Sequence, residues 1–275
     1  MITQSTESSY TKAKDVFSDR YDDDYVNLDS SVIAYDKLLE VLDKPIKLAL
    51  LYGKPGTGKT FLLKKIYRDL SKKKSIIFFP TPFFDEVEFI KNIYERSFNE
   101  KAPEIKTFDR FFQVVAEKAH DIKKSIPVFI DEAQLYPPDI VEKIRLLADT
   151  RKYKFIFTVH KTDQKEDVFA KDYFKTRIWE SVELKNISYD EFKIYIEKKL
   201  LYHNMFDFIG KFKDKHYKVI YSYSKGNLRE TNKIIYKLFE ICEYYDINEP
   251  SKMDSRYIDM KALDMTAISL GYIDA

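Results

Sequence analysis

Short apolar runs return at intervals between residues 46 and 184, and the stretches between them have helical spacing. The first run, IKLALLY at Ile46–Tyr52, places a strand at Leu48–Tyr52; Ser75–Phe79, Val128–Ile130, Phe155–Val159 and Val182–Leu184 follow as further strand candidates. Consecutive apolar positions fit strands buried on both faces, and strands that alternate with helices pair in parallel. A parallel sheet covered on both sides is therefore expected. After Leu184 the strand pattern stops. NISYDEFKIYIEKKL opens with Ser188 and Glu191 at capping-box spacing and then runs helical, with two or three more helices to the end. Ser30–Leu42 is also helical in spacing, whereas residues 1–29 are polar and carry the run YDDDY. The expected organisation is a flexible acidic N-terminal arm at 1–29, an α/β core at 30–185 and a helical domain at 186–275.

Composition sharpens this at one place. The chain has six glycines, and Gly53, Gly56 and Gly58 fall within six consecutive residues of LLYGKPGTGKT. Glycine destabilises helix and strand interiors, so such a cluster belongs where the backbone turns tightly and approaches a ligand. Gly53 to Thr60 fits G-x-x-x-x-G-K-[ST], the phosphate-cradling loop. A plain glycine turn could also follow a strand, but the strand before this loop and the amphipathic FLLKKIYRDL after it give the context the motif requires. Gly53, Lys54, Pro55, Gly56, Thr57, Gly58, Lys59, Thr60 and Phe61 are expected to hold the nucleotide. Lys59 would reach the β- and γ-phosphates, the Thr60 hydroxyl would ligate Mg²⁺, and the helix starting near Gly58 would aim its positive end at the anion.

A second apolar run, IPVFIDEAQ, ends in two carboxylates. Asp131 would hold Mg²⁺ through water, and Glu132 would orient and deprotonate the attacking water. A GTPase would show D-x-x-G here, but position 134 is Gln. HKTD at His160–Asp163 resembles a guanine reader, yet its first residue is His and the switch glycine is missing, so ATP is preferred over GTP. DEAQ also occurs in helicases, but the chain is short for two motor domains and shows no second motif set.

Charge adds a weaker signal. The totals nearly balance at 47 basic and 45 acidic residues, but residues 1–30 carry a net of −4 and residues 211–237 a net of +6. The basic stretch is either a solvated helical face or a set of phosphate contacts. The single cysteine, Cys242, excludes a disulfide framework and fits a reducing compartment. No apolar run approaches the length of a bilayer span, so a cytoplasmic protein without a membrane segment is expected.

Four elements occur in one order: GKPGTGKT; VFIDEAQ followed by EKIRLLAD; RIWESVELKNISYDEFKIYIEKKL; and SKGNLRETNK. Together they resemble AAA+ ATPases of the general secretion pathway protein A (ExeA-like) type over roughly residues 30–270, and more loosely the origin-recognition and transposition ATPases. The resemblance implies a P-loop NTPase (AAA+) parallel-sheet core with a C-terminal helical lid, and ATP hydrolysis coupled to homo-oligomer formation. Arg229, in the G-x-x-R-x-x-N stretch of Gly226, Arg229 and Asn232, falls on the family's sensor 2 arginine, which touches the γ-phosphate. His160 falls near sensor 1, where Gln is usual, with Thr158 as the competing residue. Arg177 falls where a trans-acting arginine finger could lie, and a salt bridge is the alternative for it. Longer family members continue into a membrane span and a peptidoglycan-binding module, neither of which this sequence contains.

Three functions are consistent with these residues. One is a nucleotide switch supporting a secretion, type IV pilus or DNA-uptake apparatus through a protein partner in that envelope machine. Another is a DNA-bound AAA+ ATPase of the initiator or transposition-helper type, with residues 211–237 on the nucleic acid. The third is a nucleotide-binding scaffold with little turnover.

Overall fold

A computed structural model describes residues 8–18, 25–118, 124–160, 177–252 and 256–274. They divide into two compact units. One spans residues 31–185, and the other joins the described residues up to Ser30 with those from Asn186 onward.

The first unit is built on five strands: β1 (Leu48–Gly53), β2 (Ile77–Phe79), β3 (Ile126–Ile130), β4 (Tyr153–His160) and β5 (Ile178–Glu183). They lie in the order β2-β3-β4-β1-β5, with every neighbouring pair parallel. All of β3 and seven of the eight residues of β4 are buried, as consecutive apolar positions require when both faces are covered. The covering helices are α2 (Asp29–Asp43), α3 (Lys59–Leu70), α4 (Glu86–Phe98), α5 (Phe108–Lys118) and α6 (Pro138–Asp149). Phe79, Phe89, Phe111, Ile130, Ile144, Phe155 and Phe157 are among the side chains they bury. Strand β5, at one edge of the sheet, starts four residues earlier than its apolar run, because it is little covered: only Val182 is buried, and Trp179 and Ser181 are exposed.

Strand β4 also carries a buried cation. The Lys154 ammonium donates to the carbonyls of Val41 at 3.1 Å and Leu42 at 2.6 Å, and to that of Lys44. These carbonyls end α2, where a helix has acceptors without intrahelical donors and a partial negative charge. Burial lowers the Lys154 pKa, and the nearby Asp43 charge opposes that shift.

The second unit is helical: α1 (Ser9–Val16), α7 (Tyr189–Tyr202), α8 (Phe206–Ile209), α9 (Asp214–Ser224), α10 (Leu228–Asn248) and α11 (Met260–Ser269). Helix α7 begins with the capping box read from sequence: Glu191 N–H donates to Ser188 Oγ at 3.3 Å, and Ser188 N–H donates to Glu191 Oε2 at 3.2 Å. The expected flexible arm, 1–29, is corrected for residues 8–18 and 25–29; Val26 and Leu28 are buried in the helical unit and Asp29 begins α2. Tyr10, Ala13, Val16 and Phe17 are buried with Phe208 and Phe239, and the Tyr10 and Phe208 rings meet edge to face at 5.2 Å. The polar residues that made this segment look loose are spent on α10. Ser8 donates to Asp246 at 2.6 Å, Thr11 donates to Glu243 at 2.5 Å, and Lys14 also pairs with Glu243. Residues 1–7 and 19–24 of the expected arm lie outside the described residues. Among the described residues, no helix is long and apolar enough to cross a membrane.

Candidate active site

The glycine loop leaves β1 at Gly53, where a Cβ would stand 2.1 Å from the Leu184 carbonyl oxygen. No larger residue fits there without moving the backbone of the segment after β5. Gly56 and Gly58 have φ of 79° and 93°, the left-handed region that glycine enters without steric cost. Helix α3 then starts at Lys59. Its first N–H groups lack intrahelical acceptors, and its dipole is positive at this end. The Thr57 hydroxyl ties the loop to the Lys54 carbonyl at 2.9 Å. Lys59 is 5% exposed, and its ammonium reaches back across the loop to the carbonyls of Gly53 and Lys54, both at 3.0 Å. Buried ammonium, positive helix end and small-residue loop converge on an anion-binding cradle.

Strand β4 lies between β1 and β3, with Leu51 opposite Thr158, Gly53 opposite His160, and Ile130 opposite Phe157. The parallel register therefore brings the C-terminal ends of all three strands to one edge of the sheet. Asp131, directly after β3, is 2% exposed. Its Oδ1 accepts from the Thr158 hydroxyl and, at 3.1 Å, from the Glu132 N–H. Thr158 Oγ1 also accepts from the Glu132 N–H at 2.9 Å. Glu132 itself sits at φ 50° and ψ 44°, a left-handed conformation uncommon for a residue with a side chain. Such strain persists only where surroundings enforce it, and it gathers at functional sites. Its carboxylate is bonded by the Gln134 amide and lies 3.1 Å from His160 Nε2.

The structure thus joins Asp131, Glu132, Thr158 and His160 in one hydrogen-bonded group and separates the two residues that sequence left as rivals. Thr158 touches Asp131 and the Glu132 backbone, whereas His160 touches the Glu132 carboxylate. Sequence reading passed over Gln134 as a binding partner, because only the fold of β4 brings His160 to it. Lys161–Asp163, the rest of the guanine-reader likeness, lie outside the described residues.

Arg177 precedes Ile178, which pairs with Leu48 at the start of β1, so it stands at the opposite edge of the sheet from the loop. It contributes positive charge at Asp149. That carboxyl is held below the usual carboxylate range chiefly by its 2.7 Å bond to Lys47, against burial, with Arg177 and Arg145 adding to the effect.

Arg229 is exposed in the first turn of α10 in the helical unit. The residues around it have packing roles. Gly226, at φ 73°, has no room for a Cβ because the Ile187 carbonyl oxygen would lie 2.1 Å away. Asn227 caps α10, and Asn232 accepts from the Tyr195 hydroxyl at 2.8 Å.

The basic stretch is less open than its charge implies. Lys211 stacks on the Tyr10 ring and Lys213 on the Tyr257 ring, with 4.5 and 3.5 Å to the centroids. Lys218, Lys233 and Lys237 pair with Asp214, Glu230 and Glu240. Lys215, Lys225 and Arg229 are exposed, as are Lys213, Lys218 and Lys233 beside those contacts.

Residues 44–163 match the family model described as AAA domain, a span under half of the chain. No curated protein matches the sequence. Among solved structures, Cdc6p from Pyrobaculum aerophilum is similar at 16% identity and a TM-score of 0.63, over 93% of this chain and 70% of that one. The Drosophila ORC bound to DNA is similar at 12% identity and a TM-score of 0.65, over 98% of this chain and 68% of that one. The Aeropyrum pernix ORC1 protein in complex with DNA is similar at 14% identity and a TM-score of 0.61, over 94% and 69%. At these identities the likeness is one of fold, and the fold is the P-loop AAA+ fold with a helical C-terminal region.

Proposed function

We propose that this chain binds and hydrolyses ATP as a nucleotide switch in DNA handling. The observation that carries the ATPase reading is the shared sheet edge. The buried Lys59 ammonium under its glycine loop after β1, and the linked Asp131, Glu132 and Thr158 at the ends of β3 and β4, belong to the same end of the sheet.

Gly53, Lys54, Pro55, Gly56, Thr57, Gly58 and Phe61 would surround the phosphates, with Lys59 exchanging its two carbonyl contacts for phosphate oxygens. Thr60 and Asp131 are the residues that would hold Mg²⁺, and they fit it. Asp131 is a buried carboxylate whose Oδ1 carries both hydrogen bonds, leaving Oδ2 for the metal or its water. When bound, Mg²⁺ neutralises charge on the phosphate oxygens. Glu132 would direct the attacking water and accept its proton. Thr158 fixes the backbone on which this depends.

Arg177 stands at the far edge of its own sheet, so a role for it in hydrolysis requires a neighbouring copy, which accords with a nucleotide-dependent homo-oligomer. Arg229 would read the γ-phosphate, a charge-assisted contact available with ATP and not with ADP. In a Glu132→Gln background, Arg229→Ala should cut the ratio of ATP to ADP affinity by about tenfold while leaving ADP affinity nearly intact, given the usual strength of hydrogen bonds to charged groups. Titration calorimetry with both nucleotides measures this, and an unchanged ratio makes Arg229 a surface arginine.

The DNA reading rests on fold likeness to two structures that hold DNA and on the exposed cations of residues 211–237. Service to a secretion, pilus or DNA-uptake apparatus draws no support from these neighbours. Duplex binding measured across a salt series tests the choice. With Arg229 on the nucleotide, a log–log slope near −2 is expected if about two phosphates are neutralised, and Lys215→Ala or Lys225→Ala should each flatten it by about one. Absent or salt-independent binding would reject DNA as the partner.

A further inference from the structure

Three polar side chains close a ring at the catalytic edge. Gln134 Nε2 donates to Glu132 Oε2 and lies 3.4 Å from His160 Nδ1, and His160 Nε2 lies 3.1 Å from Glu132 Oε1. We propose that Gln134 is a positioning residue that fixes the Glu132 carboxylate and the His160 tautomer together. The inference rests on Glu132 as the general base and adds a residue to that site.

The chemistry of the three groups permits one arrangement of protons. A carboxamide nitrogen carries two hydrogens, enough to serve Glu132 and His160 at once. Turned over, the amide would place its carbonyl oxygen against a carboxylate oxygen, with lone pairs on both. Its NH₂ therefore faces Glu132, and His160 Nδ1 must accept. A neutral imidazole accepting at Nδ1 carries its hydrogen on Nε2, which then donates to Glu132 Oε1. Each carboxylate oxygen receives one side-chain bond and keeps a further accepting direction for water.

The backbone supports the same arrangement. The 3-10 turn Ala133–Leu135 follows Glu132 directly, with Leu135 N–H donating to the Glu132 carbonyl at 2.9 Å. This turn brings position 134 back beside position 132. The Gln134 side-chain amide oxygen, Oε1, is buried with no hydrogen-bond partner. An unpaired buried acceptor is unfavourable. The amide is thus held by its donors, toward the base and the histidine, and not by its oxygen.

Nitrogen-15 spectra of histidine-labelled protein test this directly. The chain has four histidines, and the His160 signals are identified by their loss in His160→Asn. In the wild type, His160 should be neutral with hydrogen on Nε2 and a hydrogen-bonded Nδ1. In Gln134→Leu, Nδ1 should shift to its unbonded value and the form with hydrogen on Nε2 should lose population, with only the Glu132 contact left to favour it. Turnover should fall by about tenfold to a hundredfold, as misplaced catalytic groups do, with KM for ATP near its wild-type value. Gln134→Glu sets a carboxylate against Glu132 and should lower turnover further. Circular dichroism on both variants identifies the one that keeps its fold, and the folded variant decides. His160 shifts identical to the wild type, or an unaltered kcat in a folded variant, would overturn the proposal. If the wild type does not hydrolyse ATP, the proposed activity fails, but the nitrogen shifts still decide whether Gln134 sets the tautomer.

Discussion

Lys59→Ala should weaken ATP binding by about a hundredfold or more. Lys59 is 5% exposed and its ammonium is held by the Gly53 and Lys54 carbonyls at 3.0 Å, so the charged group is aimed across the loop and shielded from water. Transferring it to phosphate replaces neutral acceptors with anionic ones. Hydrogen bonds to charged groups contribute about 1.5–3 kcal/mol each, so the loss of two amounts to at least two powers of ten in affinity. Alanine also takes one donor from each of the two carbonyls, leaving that of Lys54 with the Thr57 hydroxyl alone, so the unfolding midpoint must be measured beside affinity. Calorimetric affinity equal to the wild type in a folded variant would remove the basis for the whole nucleotide reading.

Glu132→Gln separates binding from chemistry. ATP affinity should stay within about twofold, because no reading places the Glu132 side chain on the phosphates. Turnover should fall by about a hundredfold to ten-thousandfold, the usual contribution of a positioned base. The change also disturbs the ring described above. A glutamine at 132 has one acceptor oxygen where the ring offers two donors, so its own NH₂ must meet either Gln134 Nε2 or His160 Nε2. Phosphate release at the wild-type rate, alongside intact ATP binding, would show that another group takes the proton.

What could be read in advance follows from how local each signal is. The glycine loop, the buried strands β1, β3 and β4, and the paired acids are carried by contiguous residues whose types their local conformation demands. Strand β5 extends before the expected Val182–Leu184 because its first residues are little covered, and Trp179, Glu180 and Ser181 show no apolar run. Helix α1 was missed because its apolar residues are few, and Lys14 and Thr11 find their partner more than 200 positions away at Glu243. The contact of His160 with Gln134 depends on β4 lying next to β3, which no local pattern in either segment records. Thr158 was legible only as an alternative, since its two contacts with Asp131 and Glu132 arise from the same strand pairing.

The joining of α1 to α10 also has a consequence for biosynthesis. The Ser8–Asp246 bond closes a separation of 238 residues. At translation rates of about 5–20 residues per second, the first helix waits roughly 10–50 s after emerging before its binding groove exists. Eight residues are too few for a helix to persist alone in water. Tyr10, Val16 and Phe17 therefore leave the ribosome as an unstructured apolar segment, while the sheet-bearing unit, continuous from residue 31 to 185, can complete its fold in the interval. The helical unit therefore closes after the sheet-bearing unit has been made, and its first helix is open to chaperones and proteases until then.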